Sequence, residues 1–359
     1  MSRLRGARSQ IQGRFESEQR SPFDDGWAAD EDTPAPAATV VTEERARSII
    51  ARNDSPDVPF DRSVNPYRGC EHGCIYCYAR PSHAYLELSP GLDFETRLFA
   101  KTNAADLLRR ELGHPGYRAQ PIAFGANTDC YQPAERRYRI MRGLLEVLAS
   151  CDHPLTLVTK SALIERDIDL LAPMARKHLV KTFVSITTLD HRLARSMEPR
   201  AASPSRRVAT IRALAAAGIP CGVMVAPVVP ALTDPSLEAV LEAAAGAGAT
   251  MAGWILLRLP NEVRPLFKDW LAAHHPQRAA HVISVVRQSR GGRENDPNFG
   301  SRMTGSGSFV DLITRRFELA CRRFGLNRAD DPMASRSGLD CSRFRPPAQQ
   351  DPSGQLALF

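Results

Sequence analysis

The chain has 359 residues, of which 43% are hydrophobic and 24% charged, a composition typical of a folded globular protein and not of a disordered one. It contains no run of about 18 uncharged apolar residues, which excludes a transmembrane helix, and its basic N-terminus lacks the apolar core of a signal peptide. We therefore expect a cytoplasmic protein that binds no membrane. The net charge is +7, and because residues 1–60 contain eight Arg and eleven acidic residues, the positive excess lies in the remaining chain, which is compatible with a polyanionic partner.

Residues 1–48 are rich in Ser, Pro, Asp and Ala and lack apolar periodicity, so we expect them to be mostly disordered. From residue 60 to residue 275, short β-type runs alternate with amphipathic helical stretches, which indicates βαβ units around a parallel sheet. The predicted strands are Ser63–Tyr67, Glu95–Ala100, Pro121–Gly125, Leu155–Thr159, Thr182–Ile186, Cys221–Ala226 and Trp254–Leu259. The predicted helices between them are Arg136–Ala149, Ile164–Lys177, Pro204–Ala217 and Leu237–Ala247.

This alternation predicts an α/β fold with a partial (β/α)6-type barrel over residues 60–275. Residues 276–344 are expected to form a helical C-terminal extension, in which a Gly-rich segment joins the helices His281–Arg290 and Phe309–Phe324. Residues 345–359 are rich in Pro, Gln and Ser, and we expect them to form a flexible tail with an apolar end.

Three of the eight cysteines lie within eight residues, in the sequence Cys70-Glu-His-Gly-Cys74-Ile-Tyr-Cys77, directly after a predicted strand. Three thiolates on one tight loop can each bind an iron of a [4Fe–4S] cluster, and the fourth iron then stays open for a substrate or cofactor. The alternative is a structural zinc site completed by His72, although zinc sites usually combine paired C-x2-C elements with a fourth ligand. The spacing favours the cluster.

The pattern C-x3-C-x-aromatic-C at the end of the first strand of a (β/α) barrel resembles the radical S-adenosylmethionine (SAM) superfamily. The resemblance implies that Cys70, Cys74 and Cys77 bind a [4Fe–4S] cluster, that SAM chelates its fourth iron, and that Tyr76 lies near the adenine. It further implies a radical SAM enzyme that cleaves SAM reductively to a 5′-deoxyadenosyl radical, which removes a hydrogen atom from the substrate. Such an enzyme needs an electron donor such as flavodoxin or ferredoxin.

Four further segments are similar to strand ends of the spore photoproduct lyase-like branch of this superfamily, also called DNA-repair-photolyase-like. They are Thr159–Ser161, Val184–Thr188, Met197–Ala201 and Gly222–Pro227, and the similarity covers roughly residues 60–260. It implies that Lys160 and Ser185 contact SAM, with Lys160 as a point charge on the SAM carboxylate, and it adds Glu198 and Arg200 to the cofactor-binding residues. The alternative for Lys160 is a surface lysine at a strand end.

One position departs from that branch. Where spore photoproduct lyase carries the cysteine that returns a hydrogen atom to the substrate, the matching residue here is Asn127, which cannot donate one. We therefore predict that Cys130 or Tyr131 serves as the hydrogen donor, or else that the reaction differs from the thymine repair of that branch. The alternative for Cys130 is a small apolar residue that packs at a strand end.

The C-terminal sequence Gly354-Gln-Leu-Ala-Leu-Phe359 resembles the short peptide by which bacterial polymerases and repair proteins bind the DNA sliding clamp. The resemblance implies that Leu356, Leu358 and Phe359 enter an apolar groove while Gln355 fixes the register by hydrogen bonds. The alternative is that these apolar residues fold back and cover the core of the body.

Together these patterns predict a radical SAM enzyme, lyase-like, that acts on nucleic acid, with repair of a DNA lesion as the expected reaction. A second hypothesis keeps the radical chemistry but takes RNA, a protein or a small molecule as substrate. A third is an iron–sulfur protein that binds nucleic acid or senses redox state without turnover. Formation of 5′-deoxyadenosine by the reduced protein distinguishes the third hypothesis from the other two.

Overall fold

The computed structural model describes residues 5–16, 38–334 and 338–347. Within them, strands β1–β10 span, in chain order, Val40–Glu44, Ile50–Arg52, Arg62–Val64, Tyr67–Arg68, Arg97–Lys101, Ile122–Phe124, Leu155–Thr159, Val180–Ser185, Cys221–Val228 and Met251–Leu256. Helices α1–α11 span Asp93–Thr96, Ala104–Leu112, Glu135–Tyr138, Ile140–Ser150, Ile168–Ala175, His191–Met197, Pro204–Ala216, Leu237–Gly246, Val263–His274, Pro276–Gln288 and Ser308–Phe324. Short 3-10 helices cover Arg80–Leu86, Ala162–Asp167, Asp234–Ser236 and Pro332–Ala334.

The centre of the fold is a seven-stranded sheet with the order β10-β9-β8-β7-β6-β3-β2. Strands β3 and β6–β10 run parallel, and β2 pairs antiparallel with β3 at one edge. Among the described strands β10 pairs only with β9, so the barrel is open. The predicted partial (β/α)6-type fold is confirmed, and because parallel strands all end at one edge, the loops that follow them meet there.

The central strands β8 and β9 are buried on both faces, as expected for a sheet that helices cover on its outside. In β9, six of the eight residues are buried, and in β8 five of six. Helix α4 adds Leu144, Leu145 and Leu148, all fully buried, to this core. Local signals explain where α7 begins, since Pro204 occupies its first turn and the Ser203 side chain accepts a hydrogen bond from the helix.

Strand β5, which corresponds to the predicted strand Glu95–Ala100, lies outside the barrel. It pairs in parallel with β1 and antiparallel with β4 in a separate three-stranded sheet. Alternation of strand and helix in the sequence did not show this difference, because α2 follows β5 just as helices follow the barrel strands. Strand β1 lies within residues 1–48, which we predicted to be mostly disordered, whereas residues 1–4 and 17–37 lie outside the described residues.

Side chains cap both edges of the seven-stranded sheet. At the β10 edge, Asn327 accepts a hydrogen bond from the Ala252 amide at 2.8 Å and donates one to the Ala252 carbonyl at 2.9 Å. At the β2 edge, the Glu111 carboxylate accepts hydrogen bonds from the amides of Ile49 and Ile50 at 2.7 and 3.0 Å. Both side chains satisfy backbone groups that would otherwise need another partner.

Helices α10 and α11 correspond to the two helices predicted for the C-terminal extension, and α9 precedes them without having been predicted. Helix α11 packs against α8, where Arg316 forms an ion pair with Glu238 at 2.6 Å. The division of the chain into domains stays a prediction. No helix in the described part of the chain combines the length and the apolar character needed to cross a membrane.

Candidate active site

The three clustered cysteines lie on the cysteine loop, residues 69–78, which follows β4. The Cys70 amide donates a hydrogen bond to the Phe94 carbonyl at 2.9 Å, and the Cys77 amide donates one to the Cys74 carbonyl at 3.2 Å. The loop begins at Gly69, whose φ is 75°, and a Cβ there would lie 2.9 Å from the same Phe94 oxygen. Only glycine satisfies both constraints, and the turn it makes leads directly to the first thiol.

Two of the three cysteines are buried, with Cys70 6% and Cys74 8% exposed, and Cys77 is half-buried. Burial raises the pKa of Cys74 to about 12, although the nearby Lys160 ammonium opposes this rise. Burial also raises the pKa of Cys70 and of Cys77. Because metals bind thiolates, a cationic group must displace the protons when it binds this loop.

The three thiols of the cysteine loop suit a [4Fe–4S] cluster. In the described residues, no group of three or more His, Cys, Asp or Glu side chains is arranged so as to hold one metal ion. A [4Fe–4S] cluster takes each thiolate on a different iron, so its ligands do not converge on one point. Cys70, Cys74 and Cys77 on one buried loop meet that requirement.

Arg80 holds the backbone side of the cysteine loop. It is fully buried, and its guanidinium donates hydrogen bonds to the carbonyls of Cys74 at 3.0 Å and Gly73 at 3.2 Å. It also forms an ion pair with Glu95 at 2.5 Å, and both side chains of this pair are 0% exposed. The pair was not predicted, because a single arginine after the motif carries no pattern that distinguishes it.

Residues 5–16, which we call the N-terminal strap, are tied to the same glutamate. The Glu95 carboxylate accepts hydrogen bonds from the amides of Gly6 at 2.9 Å and Ala7 at 2.8 Å. The contact is close, since a Cβ on Gly6 would lie 1.7 Å from the Gly73 carbonyl oxygen. The strap therefore packs directly against the cysteine loop.

On the other side of the loop, Tyr76, Lys160 and Glu198 form one network. The Tyr76 hydroxyl donates a hydrogen bond to Glu198, and the Lys160 ammonium lies 5.8 Å from the centroid of the Tyr76 ring. Glu198 also forms an ion pair with Arg207, and both side chains are almost fully buried. Burial alone would raise the pKa of Glu198, but Arg207, Lys160 and the hydrogen bonds lower it to about 2. The carboxylate is therefore ionised.

The two other predicted cofactor-binding residues lie close to this network. Ser185 ends β8, is 3% exposed, and accepts a hydrogen bond from Arg207 at its carbonyl, at 3.0 Å. Arg200 forms an ion pair with Glu71 of the cysteine loop at 2.8 Å, and its amide donates to the His72 carbonyl at 3.3 Å. The fold thus brings Tyr76, Lys160, Ser185, Glu198 and Arg200 to the end of the barrel where the cysteines lie. Their contacts with SAM stay predictions.

His72 is held by an acid and not by the thiols. Its Nδ1 lies 3.3 Å from a carboxylate oxygen of Asp129, which also accepts hydrogen bonds from the Lys160 amide and the Thr159 hydroxyl, both at 2.7 Å. Burial opposes ionisation of Asp129, but His72 and these hydrogen bonds hold its pKa well below the usual range. This arrangement gives no support to the alternative in which His72 completes a zinc site.

The two predicted hydrogen donors are buried. Cys130 and Tyr131 are both 0% exposed and belong to the main hydrophobic core. The Tyr131 hydroxyl donates a hydrogen bond to Asp167 at 3.0 Å, in the layer of helices outside the sheet. The donor role of Cys130 and Tyr131 stays a prediction.

Two residues at the open end of the barrel do face outward. Asn127 follows β6 and is partly exposed, and its amide donates a hydrogen bond to the Asn65 side chain at 3.2 Å. Tyr78, directly after Cys77, is 47% exposed and donates a hydrogen bond from its hydroxyl to the Ala126 carbonyl. Tyr78 was not predicted, although a second aromatic residue beside the third cysteine is a signal that the sequence carries. The tail residues Gln355, Leu356, Leu358 and Phe359 lie outside the described residues, and clamp docking stays a prediction.

Comparisons with known proteins agree with this geometry. The family model of the radical SAM superfamily matches residues 64–244. The uncharacterized protein Rv2578c of Mycobacterium tuberculosis is 43% identical over 233 residues, which cover 64% of this chain and 68% of that protein. The uncharacterized protein MJ0683 of Methanocaldococcus jannaschii is 25% identical over 171 residues, covering 48% of this chain and 61% of that protein.

Among solved structures, spore photoproduct lyase complexed with dinucleoside spore photoproduct has a similar fold, with a TM-score of 0.57 and 16% identity over 80% of both chains. The family model matches half of this chain and includes the cysteine loop, Lys160 and Ser185. The protein is therefore an enzyme that belongs to the radical SAM superfamily, with a spore photoproduct lyase-like fold and with a [4Fe–4S] cluster and SAM as its cofactors.

Proposed function

We propose that this radical SAM enzyme acts on nucleic acid, at a damaged DNA base. The observation that carries the enzymatic part is the buried three-thiol loop beside the network of Tyr76, Lys160 and Glu198. The nucleic-acid part is supported by the fold of spore photoproduct lyase, whose structure contains a dinucleoside lesion, and by the basic body of this chain.

In this proposal Cys70, Cys74 and Cys77 hold the cluster, and Lys160 binds the SAM carboxylate. When bound, the cluster and SAM supply a carbon-centred radical that removes a hydrogen atom from the substrate. No carboxylate in the described residues forms an ion pair with Lys160, so its charge is available for an anionic ligand. Glu198 keeps Tyr76 oriented through its hydroxyl, and Arg207 keeps Glu198 ionised.

Burial gives this site a second function, which is to exclude water and side reactions. The side chains around the loop are almost entirely buried, with Glu198 3%, Arg207 1% and Ser185 3% exposed. Tyr78 and Asn127, which follow the cysteines and β6 at the end of the barrel, are more exposed to solvent than these side chains. The substrate therefore enters at the end of the barrel past these two residues.

Anaerobic reconstitution followed by reaction with defined substrates tests the proposal. We expect about four irons and four sulfides per chain, and loss of both in Cys74→Ala. Reduced protein should form 5′-deoxyadenosine from SAM, and ultraviolet-irradiated DNA should increase its formation relative to undamaged DNA. Irradiated DNA deuterated at the lesion should transfer deuterium to 5′-deoxyadenosine, which mass spectrometry measures.

The other hypotheses predict different results in the same experiment. A protein that binds iron and sulfide but forms no 5′-deoxyadenosine fits a binding or sensing role without turnover. If 5′-deoxyadenosine forms at a rate that no DNA changes, the substrate is of another class and the nucleic-acid proposal is wrong.

A further inference from the structure

Arg258 lies at the open end of the barrel, two residues after β10 ends. Its guanidinium carbon lies 5.8 Å from the centroid of the Tyr78 ring, which itself follows Cys77 and reaches the Ala126 carbonyl after β6. Arg258 and Tyr78 therefore connect β10 to β6 across the end of the barrel. Any substrate that approaches the cysteine loop from this side meets both side chains.

Arg258 has an incomplete set of partners. Its Nε is buried and has no hydrogen-bond partner, and its Nη1 donates only to the thioether of Met303, a weak acceptor, at 3.5 Å. No described carboxylate forms an ion pair with it, and burial together with nearby Arg302 lowers its pKa. A buried donor without a partner costs free energy unless a ligand satisfies it.

The guanidinium groups of its two basic neighbours, Arg302 and Arg290, already donate hydrogen bonds to groups of the protein. Arg302 binds Asp57 at 2.5 Å and the Ser55 hydroxyl at 2.5 Å. Arg290 donates to the carbonyls of Leu257 at 2.7 Å and Arg302 at 3.1 Å. Carbonyl oxygens satisfy the donors of Arg290 but do not neutralise its charge, so positive charge remains on both Arg290 and Arg258, and of the two Arg258 is the one with a donor that lacks a partner.

We infer that Arg258 forms a subsite that binds a phosphodiester of the substrate strand, with the Tyr78 ring as a stacking surface for the adjacent base. The inference rests on the proposed function, since it takes nucleic acid as the substrate. A planar guanidinium presents parallel donors that match phosphate oxygens, and aromatic rings beside arginines bind single strands by stacking. Phe299, which is 57% exposed and lies 4.4 Å below the Arg302 guanidinium, extends the same surface.

Equilibrium binding of a fluorescent single-stranded oligothymidylate to the reconstituted full-length protein tests this inference. Arg258→Gln should weaken binding by about tenfold or more, as expected for loss of a charge-assisted hydrogen bond. It should also reduce the slope of log affinity against log salt by about 0.7, the value for one phosphate contact on a single strand. Arg258→Lys retains the charge but not the planar donors, and its affinity should lie between the two.

Arg212→Gln is the matched control, because it removes the same charge from the exposed face of α7. Equal weakening in Arg212→Gln and Arg258→Gln would show a general charge effect and overturn the subsite while the proposed function stands. If the wild-type protein binds polyglutamate as tightly as the oligonucleotide, both the subsite and the nucleic-acid substrate are wrong. If inorganic phosphate displaces the oligonucleotide at concentrations comparable to its own, the site binds free phosphate and the phosphodiester assignment fails.

Thermal melting separates a binding role from a structural one. Because the Arg258 Nε has no partner, Arg258→Gln should not lower Tm, whereas a structural arginine would. A fall in Tm of several degrees in Arg258→Gln that Arg258→Lys restores, with unchanged oligonucleotide affinity in Arg258→Lys, would overturn the inference.

Discussion

Two buried arginine–glutamate pairs flank the cysteine loop, and they are used differently. In the pair Arg80–Glu95, the guanidinium donates to backbone carbonyls of the loop, and the carboxylate accepts from backbone amides of the N-terminal strap. In the pair Arg207–Glu198, the carboxylate instead accepts from the Tyr76 hydroxyl and from the Thr187 hydroxyl at 2.8 Å. The first pair fixes main chain, and the second orients side chains.

The difference shows how one kind of ion pair can serve two purposes within one site. Removing two charges from water is costly, so each pair must recover that cost through further hydrogen bonds. For Arg80–Glu95, all of these further hydrogen bonds are made to backbone groups of the protein. Arg207–Glu198 lies beside Lys160, whose ammonium interacts with Glu198 electrostatically but forms no close ion pair with a carboxylate of the described residues, and so part of this network is left for a ligand.

The largest effect is expected at the pair that fixes main chain. Glu95→Ala leaves the Arg80 guanidinium buried without a counter-charge and removes the acceptor of the two strap amides. We expect the free energy of unfolding of the metal-free protein to fall by about 3–5 kcal/mol, measured by urea denaturation. The double variant Arg80→Met/Glu95→Leu should recover part of this loss, since it leaves no buried charge. A fall below 1 kcal/mol in Glu95→Ala, the range expected of a surface ion pair, would mean that the pair is not sealed from water.

The second pair, Arg207–Glu198, should make the free energy of unfolding depend on pH in the acid range. The pKa of Glu198 is lowered to about 2 in the folded protein, against about 4.3 in an unfolded chain. Its contribution to stability is therefore complete above about pH 4.3 and is lost as pH falls through about 2. The full difference corresponds to about 3 kcal/mol. In Glu198→Gln the unfolding free energy should depend less on pH in this range than in the exposed control Glu146→Gln. If the unfolding free energy of the two variants depends on pH in the same way below about pH 4.3, the lowered pKa of Glu198 is contradicted.

Lys160 tests the part of the network that is left for a ligand. Lys160→Ala should retain the cluster but weaken SAM binding by about 1.5–3 kcal/mol, the usual contribution of a charged hydrogen bond. Calorimetric titration of reconstituted protein with SAM measures this loss. Lys177→Ala, which removes a surface lysine paired with Asp152, should leave SAM affinity unchanged. Unchanged affinity in Lys160→Ala would show that Lys160 serves only to hold Tyr76.

The smallest effect concerns the strap. A methyl group on Gly6 would overlap the Gly73 carbonyl, so Gly6→Ala must displace the strap and lengthen its hydrogen bonds to Glu95. We expect a loss of about 1–2 kcal/mol of unfolding free energy. Gly246→Ala in α8, where a Cβ meets open space, should be neutral or slightly stabilising. If both variants behave alike, the strap does not contact the loop in solution.

The features that could be predicted from the sequence are those with a local signal, and the contacts between distant parts of the chain could not be predicted. Strand β7 was predicted at its observed bounds, because an apolar run between turn residues is a local signal. The three cysteines were predicted because ligand spacing is also local. By contrast, the strap reaches Glu95 across almost ninety residues, and no periodicity encodes such a contact. The same limit applies to the hydrogen bond that the Tyr131 hydroxyl donates to Asp167, 36 residues further along the chain.

The capped edges of the open sheet have a consequence for self-association. A barrel that does not close leaves two strand edges, and an exposed edge can pair with a strand of another molecule and lead to aggregation. Here Asn327 occupies both backbone groups of Ala252 on β10, and the Glu111 carboxylate occupies the amides of Ile50, the first residue of β2, and of Ile49 before it. Two side chains thus occupy backbone groups at both edges that a strand of another molecule would otherwise use, which disfavours edge-to-edge pairing at these positions.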